Sequence, residues 1–182
     1  MSCSLTAGRL IPCKDVVAGI KDIYFFNYGV VVTESGGAVS DIKASGGTLA
    51  ADAYRFQVKG LTGLEETVVT SRDNGTTFWE QVLSATLPKL STAMRTELQS
   101  MAQGRPIVVI HDYNGNAILL GKDNGMEVTG GTTTIGQSKG DLSGYTLTLT
   151  GQEKIPACFV TGATTANPFA GIAVNPPTIV SS

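Results

Sequence analysis

Residues 144–151 read GYTLTLTG, and no other stretch constrains the fold of this chain as tightly. Tyr145, Leu147 and Leu149 alternate with Thr146, Thr148 and Thr150. A period of two belongs to a strand, because successive side chains leave opposite faces of the pleat. One side of the segment must cover an apolar core while the other stays polar. YRFQVKG repeats the pattern, with Tyr54, Phe56 and Val58 set against Arg55, Gln57 and Lys59. DIYFFNY (22–28), VVV (30–32) and ACFV (157–160) add strands that do not alternate.

Turn chemistry ties these strands together. In ETVVTSRDNGTTFWEQVLSATL (66–87) two extended arms flank Asp73, Asn74 and Gly75, and Asn-Gly readily adopts the positive backbone angles of a hairpin turn. PIVVIHDYNGNAILLG (106–121) repeats that logic around Asn114-Gly115. The composition agrees: 22 Gly, 22 Thr and 13 Ser suit short strands and tight turns and disfavour a helical bundle. One helix is predicted where Leu87, Leu90, Met94, Leu98 and Met101 form a stripe. Pro88 suits its first turn and Gly104 its stop, giving about four turns. The predicted fold is mainly β with one helix: a two-sheet sandwich or barrel flanked by that helix. Residues 1–162 are read as a single β-rich structural domain, and 163–182, with Pro168, Pro176 and Pro177, as an extended or flexible C-terminal arm.

Charged residues make up only 15% of the chain, against roughly 25% in ordinary soluble proteins, so the surface is unusually neutral. A net charge of -2 argues against a module that grips nucleic acid, which needs clustered cations. The N-terminal MSCSLTAGRLIPCKD lacks the pattern of a signal peptide, and no segment has the length and apolarity of a membrane span. The expectation is a chain made in the cytoplasm, with Cys3, Cys13 and Cys158 reduced and acting as small apolar residues.

Sites of chemistry are weakly signalled. Gly131, Gly136, Gln137 and Ser138 fit a phosphate-loop pattern, but Gln137 stands where the lysine belongs, and a strand follows where a helix is needed. Residues 130–144 read instead as a mobile glycine-rich loop. His111 is the only histidine; Asp112 beside it points to the opposite strand face, and the Gly-x-Ser-x-Gly match at Gly136, Ser138 and Gly140 leads into a strand where a nucleophile elbow needs a helix, so His111 reads as a half-exposed strand residue. The cysteines and His111 lack the close pairing of a zinc site. Glu65, Glu66, Asp123 and Glu127 read as solvated acids. No catalytic residue, cofactor, metal or small-molecule substrate is expected. A sheet-rich domain with neutral faces invites association, which points to an assembly subunit.

Two stretches, PCKDVVAGIKDIYFFNYG (12–29) and NGMEVTGGTTTIGQSKGDLSGYTLTLTGQEKIPACFV (124–160), give the chain a resemblance to tail-tube-type virion structural proteins of tailed bacteriophages. The resemblance implies hexameric rings whose inner strands join into one barrel, stacked into a tube for DNA passage, in a virion assembled in the host cytoplasm. It also implies a long hairpin or loop reaching the neighbouring ring, matched here by 66–83 and 130–144, with Asp73, Asn74, Gly75, Trp79, Gly131, Ile135 and Gly136 as subunit-interface candidates. Partners would be identical copies, neighbouring virion proteins and transiently passing DNA. Ring, neck, stopper and completion proteins share the fold, and a virion decoration or glycan-binding module is the alternative that a neutral Thr/Ser/Gly surface also suits.

Overall fold

The computed structural model describes residues 16–58 and 61–181. Cys3, Cys13, Lys59 and residues 12–15 of the 12–29 stretch lie outside the described residues. The chain runs β1 (Ile20–Phe26), β2 (Val31–Ser35), β3 (Ala38–Lys43), β4 (Asp52–Gln57), β5 (Gly63–Ser71), β6 (Thr76–Pro88), α1 (Thr92–Gln103), β7 (Ile107–Asp112), β8 (Ala117–Leu120), β9 (Glu127–Ile135), β10 (Ser143–Glu153), β11 (Cys158–Val160) and β12 (Thr178–Val180). These form an eight-stranded sheet, ordered β12-β4-β1-β7-β8-β11-β3-β2, and a four-stranded sheet, ordered β5-β6-β10-β9. The architecture is mainly β, two sheets and a single helix, as the alternation and turn chemistry predict.

The first core lies between the sheets. Leu83, Ala85 and Leu87 of β6 and Tyr145, Leu147 and Leu149 of β10 meet Ile23, Phe25, Val108 and Ile110 of the large sheet. The threonines between the β10 apolar residues face away, so the alternation places this strand as read. A second core lies on the other face of the large sheet, which explains why β1 does not alternate: Ile23 and Phe25 serve the first core, Tyr24 and Phe26 the second. The large sheet rolls on itself to close that second core, with a bridge between Lys43 and Ala50 joining regions near its far ends. Strands buried on both faces read as continuous apolar runs.

Several sequence expectations change. The helix begins at Thr92, capped by the Ser91 hydroxyl accepting from the Met94 N–H at 3.1 Å, and so has about three turns. Leu87 and Pro88 close β6 instead, because Leu87 continues the period-two face of Leu83 and Ala85. Leu90, Met94, Leu98 and Met101 still carry the apolar face of the turn and helix against the first core. Residues 130–135 are not a loop but most of β9, paired with β10. Thr129, Thr132, Thr133 and Thr134 of β9 favour that ladder more strongly than its Gly130 and Gly131 oppose it.

The C-terminal segment is extended yet not a free arm. Phe169 and Ile172 are buried in the second core, and the Phe169 ring meets Tyr24 and Phe26 edge-on at 5.2 and 5.9 Å. β12 then pairs in parallel with β4. The division at residue 162 is therefore not a boundary in packing.

Candidate functional site

The four-stranded sheet carries the features that bear on function. Its strands contain no Lys or Arg at all, while Glu65, Glu80 and Glu127 lie on the face turned from the core. That face is otherwise rich in Thr and Ser: Thr67 on β5, Ser84 and Thr86 on β6, Thr146, Thr148 and Thr150 on β10, Thr132 and Thr134 on β9. Hydroxyls bond one another across strands, as in the 3.0 Å contact of Thr129 Oγ1 with Thr150 Oγ1.

Both edges of this sheet are open among the described residues: β5 pairs only with β6, over nine residues, and β9 only with β10, with a bulge at Thr129. Proteins that must stay apart blunt such edges with Lys, Pro, bulges or short strands, and of these β9 has only its bulge. Neither β5 (GLEETVVTS) nor β9 (EVTGGTTTI) contains Lys or Pro. A glycine in β9 works against bulk: a Cβ on Gly131 would press Leu147 Cδ2 at 3.1 Å.

β5 and β6 project past the end of β10, whose pairing stops at Trp79↔Glu153. On the projecting ribbon Val68 is 48% and Val69 37% exposed, opposite Trp79 and Phe78. Asp73, Asn74 and Gly75 form the tip with Arg72, a four-residue turn in which Gly75 (φ 63°) takes the left-handed angle and Asn74 does not. Ile135, 75% exposed, and Gly136 lie at the opposite end of the sheet, about 40 Å away along β6. The candidate residues thus fall into two groups, the tip with Trp79 and the β9–β10 turn, with Gly131 between them. In that second turn Gln137 and Ser138 N–H groups donate to Asp141 Oδ2 at 2.9 and 2.8 Å, and those bonds hold the Asp141 carboxyl below its usual range. The amides that a phosphate loop would offer to a ligand are directed at this carboxylate.

A polar joint at the base of the ribbon escaped sequence reading. Gln81, fully buried, donates from Nε2 to Glu66 Oε1 at 3.0 Å and accepts from the Gly121 N–H at 3.0 Å, tying the small sheet to the end of β8. Glu66 Oε1 also accepts the Ala157 N–H at 2.7 Å, so it is a structural acceptor and not a merely solvated acid. Glu153, also buried, accepts the Asp123 and Asn124 N–H groups at 3.1 and 2.8 Å through Oε1, while Oε2 has no partner among the described residues. Burial pushes its carboxyl above the usual range, against those two amides. The available signal was Gln81 itself, a polar residue on the face shared by Trp79, Leu83 and Ala85.

His111 is buried where half-exposure was expected, because Thr164 of the packed C-terminal segment covers it; its Nε2 lies 2.9 Å from the Thr164 carbonyl. Asp112 is occupied in the turn, accepting from Asn114 and Asn116. Cys158 is buried and free, its thiol pushed up by burial. No group of three or more His, Cys, Asp or Glu that could hold a metal occurs among the described residues. No helix there is long and apolar enough to cross a membrane. Comparisons with family models, curated proteins and solved structures matched nothing to this chain.

Proposed function

We propose that the protein is a structural subunit that associates through the edges of its four-stranded sheet into rings, hexameric in the bacteriophage tail-tube arrangement, which stack into a conduit for DNA. The observation that carries the reading is the pair of open, nine-residue, lysine-free edges on one sheet. Joining β5 of one copy to β9 of the next is a head-to-tail contact, which closes into a ring when its rotation permits. The outward face of that sheet would then line the lumen. A polyanion passes a lining of hydroxyls and carboxylates without the cation contacts that would hold it.

The test is electron microscopy and light scattering of the purified chain beside a double variant, Thr67→Lys with Thr132→Lys, that puts a charge on each edge strand. Rings with a central hole from the native chain, and folded monomers from the variant, are the expected result. A native chain that stays monomeric at high concentration, or a variant that assembles equally well, refutes it.

A further inference from the structure

The chain contains three Asn-Gly pairs, at 74–75, 114–115 and 124–125, and the fold treats them differently. Asn114 is held by its side chain: Nδ2 donates to the Val17 carbonyl at 2.7 Å and Oδ1 accepts the Val17 N–H at 3.0 Å. Its neighbour Gly115 is buried, with its N–H directed at the Asp112 carbonyl at 3.4 Å. Asn124 Nδ2 donates to the Gln152 carbonyl at 2.7 Å, and buried Gly125 donates its N–H to Gly121 at 3.1 Å. Asn74 and Gly75 are both exposed; among the described residues neither the Asn74 side chain nor the Gly75 N–H has a hydrogen-bond partner. A Cβ built on Gly75 would meet nothing within 4 Å.

We propose that Asn74 is a site of spontaneous covalent change in the folded chain. The Gly75 backbone nitrogen loses its proton and attacks Asn74 Cγ, the bond from Cγ to the amide nitrogen breaks, and ammonia leaves carrying that proton. Water then opens the five-membered imide to aspartate or isoaspartate, with no oxidation or reduction at any step. The reaction needs a deprotonated glycine nitrogen and a side chain free to swing over it. The tip leaves the Gly75 N–H open to base and the Asn74 side chain unheld, whereas Gly115 and Gly125 are buried and their N–H groups are engaged. Holding a buried N–H in a hydrogen bond is worth about a tenfold to hundredfold suppression of any step that must remove it.

The product matters because of its position. Aspartate at 74 sets a second carboxylate beside Asp73, and isoaspartate adds a carbon to the backbone of a turn that closes on the Ser71↔Thr76 pair. The inference concerns the isolated folded chain and does not depend on ring assembly.

Peptide mass spectrometry of the native chain incubated at mildly alkaline pH, beside the same chain unfolded in urea, tests it. Asn74 should convert at nearly the same rate in both, while folding slows Asn114 and Asn124 by at least about tenfold. The Asn74→Gln variant should lose the mass change from the tip peptide, since glutamine cannot form the five-membered ring. Folding that protects Asn74 as strongly as the other two, or a tip peptide that still changes mass in Asn74→Gln, overturns the proposal.

Discussion

Replacing Gln81 by methionine isolates the polar joint between the sheets. Methionine keeps nearly the shape of glutamine but offers the buried Gly121 N–H no acceptor and Glu66 no donor. An unpaired buried amide costs about 1–3 kcal/mol, and a hydrogen bond to a charged carboxylate contributes about 1.5–3 kcal/mol. Burying a thioether in place of an amide recovers about 1 kcal/mol. The net expectation is a loss of about 3 kcal/mol. With a urea m-value of about 2 kcal/mol per molar, the midpoint should fall by about 1.5 M at unchanged slope. Glu66→Gln supplies the second arm of a cycle, because its oxygen still accepts the Ala157 N–H while the charge is gone. In that background Gln81→Met should cost less by about 1 kcal/mol. A midpoint that does not move, or a cost that is identical with and without the Glu66 charge, refutes the claim that this joint is a dry, charge-assisted link.

Two further perturbations probe other parts of the molecule. The Glu153 carboxyl titrates above its ordinary 4.5 in the folded chain, so stability is fully present below that value and falls as pH rises through the folded one. Glu153→Gln should flatten that fall, leaving acid-side melting temperatures near the native ones and raising neutral ones; parallel native and variant pH profiles would contradict it. Phe169→Ala removes the ring that fills the rolled sheet and should cost about 3–5 kcal/mol by denaturant titration. A loss below about 1 kcal/mol would mean that the C-terminal segment packs too loosely to count as core.

Alternating strands were legible because their pattern is local: Tyr145–Thr150 and Tyr54–Val58 carry it in six or fewer residues, although the second face of β4 is not wet, since Ala53 is buried there and Arg55 pairs with buried Asp22. The hairpin at 66–87 was legible for a similar reason, its turn residues lying between its arms. What escaped reading depends on distant partners. Leu87 suits a helix stripe and a strand face equally, and only its pairing with Tyr145 decides. Gly130 and Gly131 look like loop until β10 supplies a ladder beside them. Burial of His111 and packing of residues 163–181 follow from Phe169 entering a core whose Tyr24, Phe26, Val39 and Ile42 lie far earlier in the chain. Of the interface candidates, Asp73, Asn74 and Gly75 could be placed from the turn itself, but that Ile135 lies at the far end of the same sheet could not.

Phe169 and β12 also set the order of events during synthesis. The rolled sheet is filled by a ring near the chain's end, and its outermost strand pairs residue 178 with residue 52. Contacts so distant along the chain form slowly and cannot form before residues 169–180 have been made. The second core therefore closes only once residues 169–180 join strands made much earlier, and until then the inner face of the large sheet stands open.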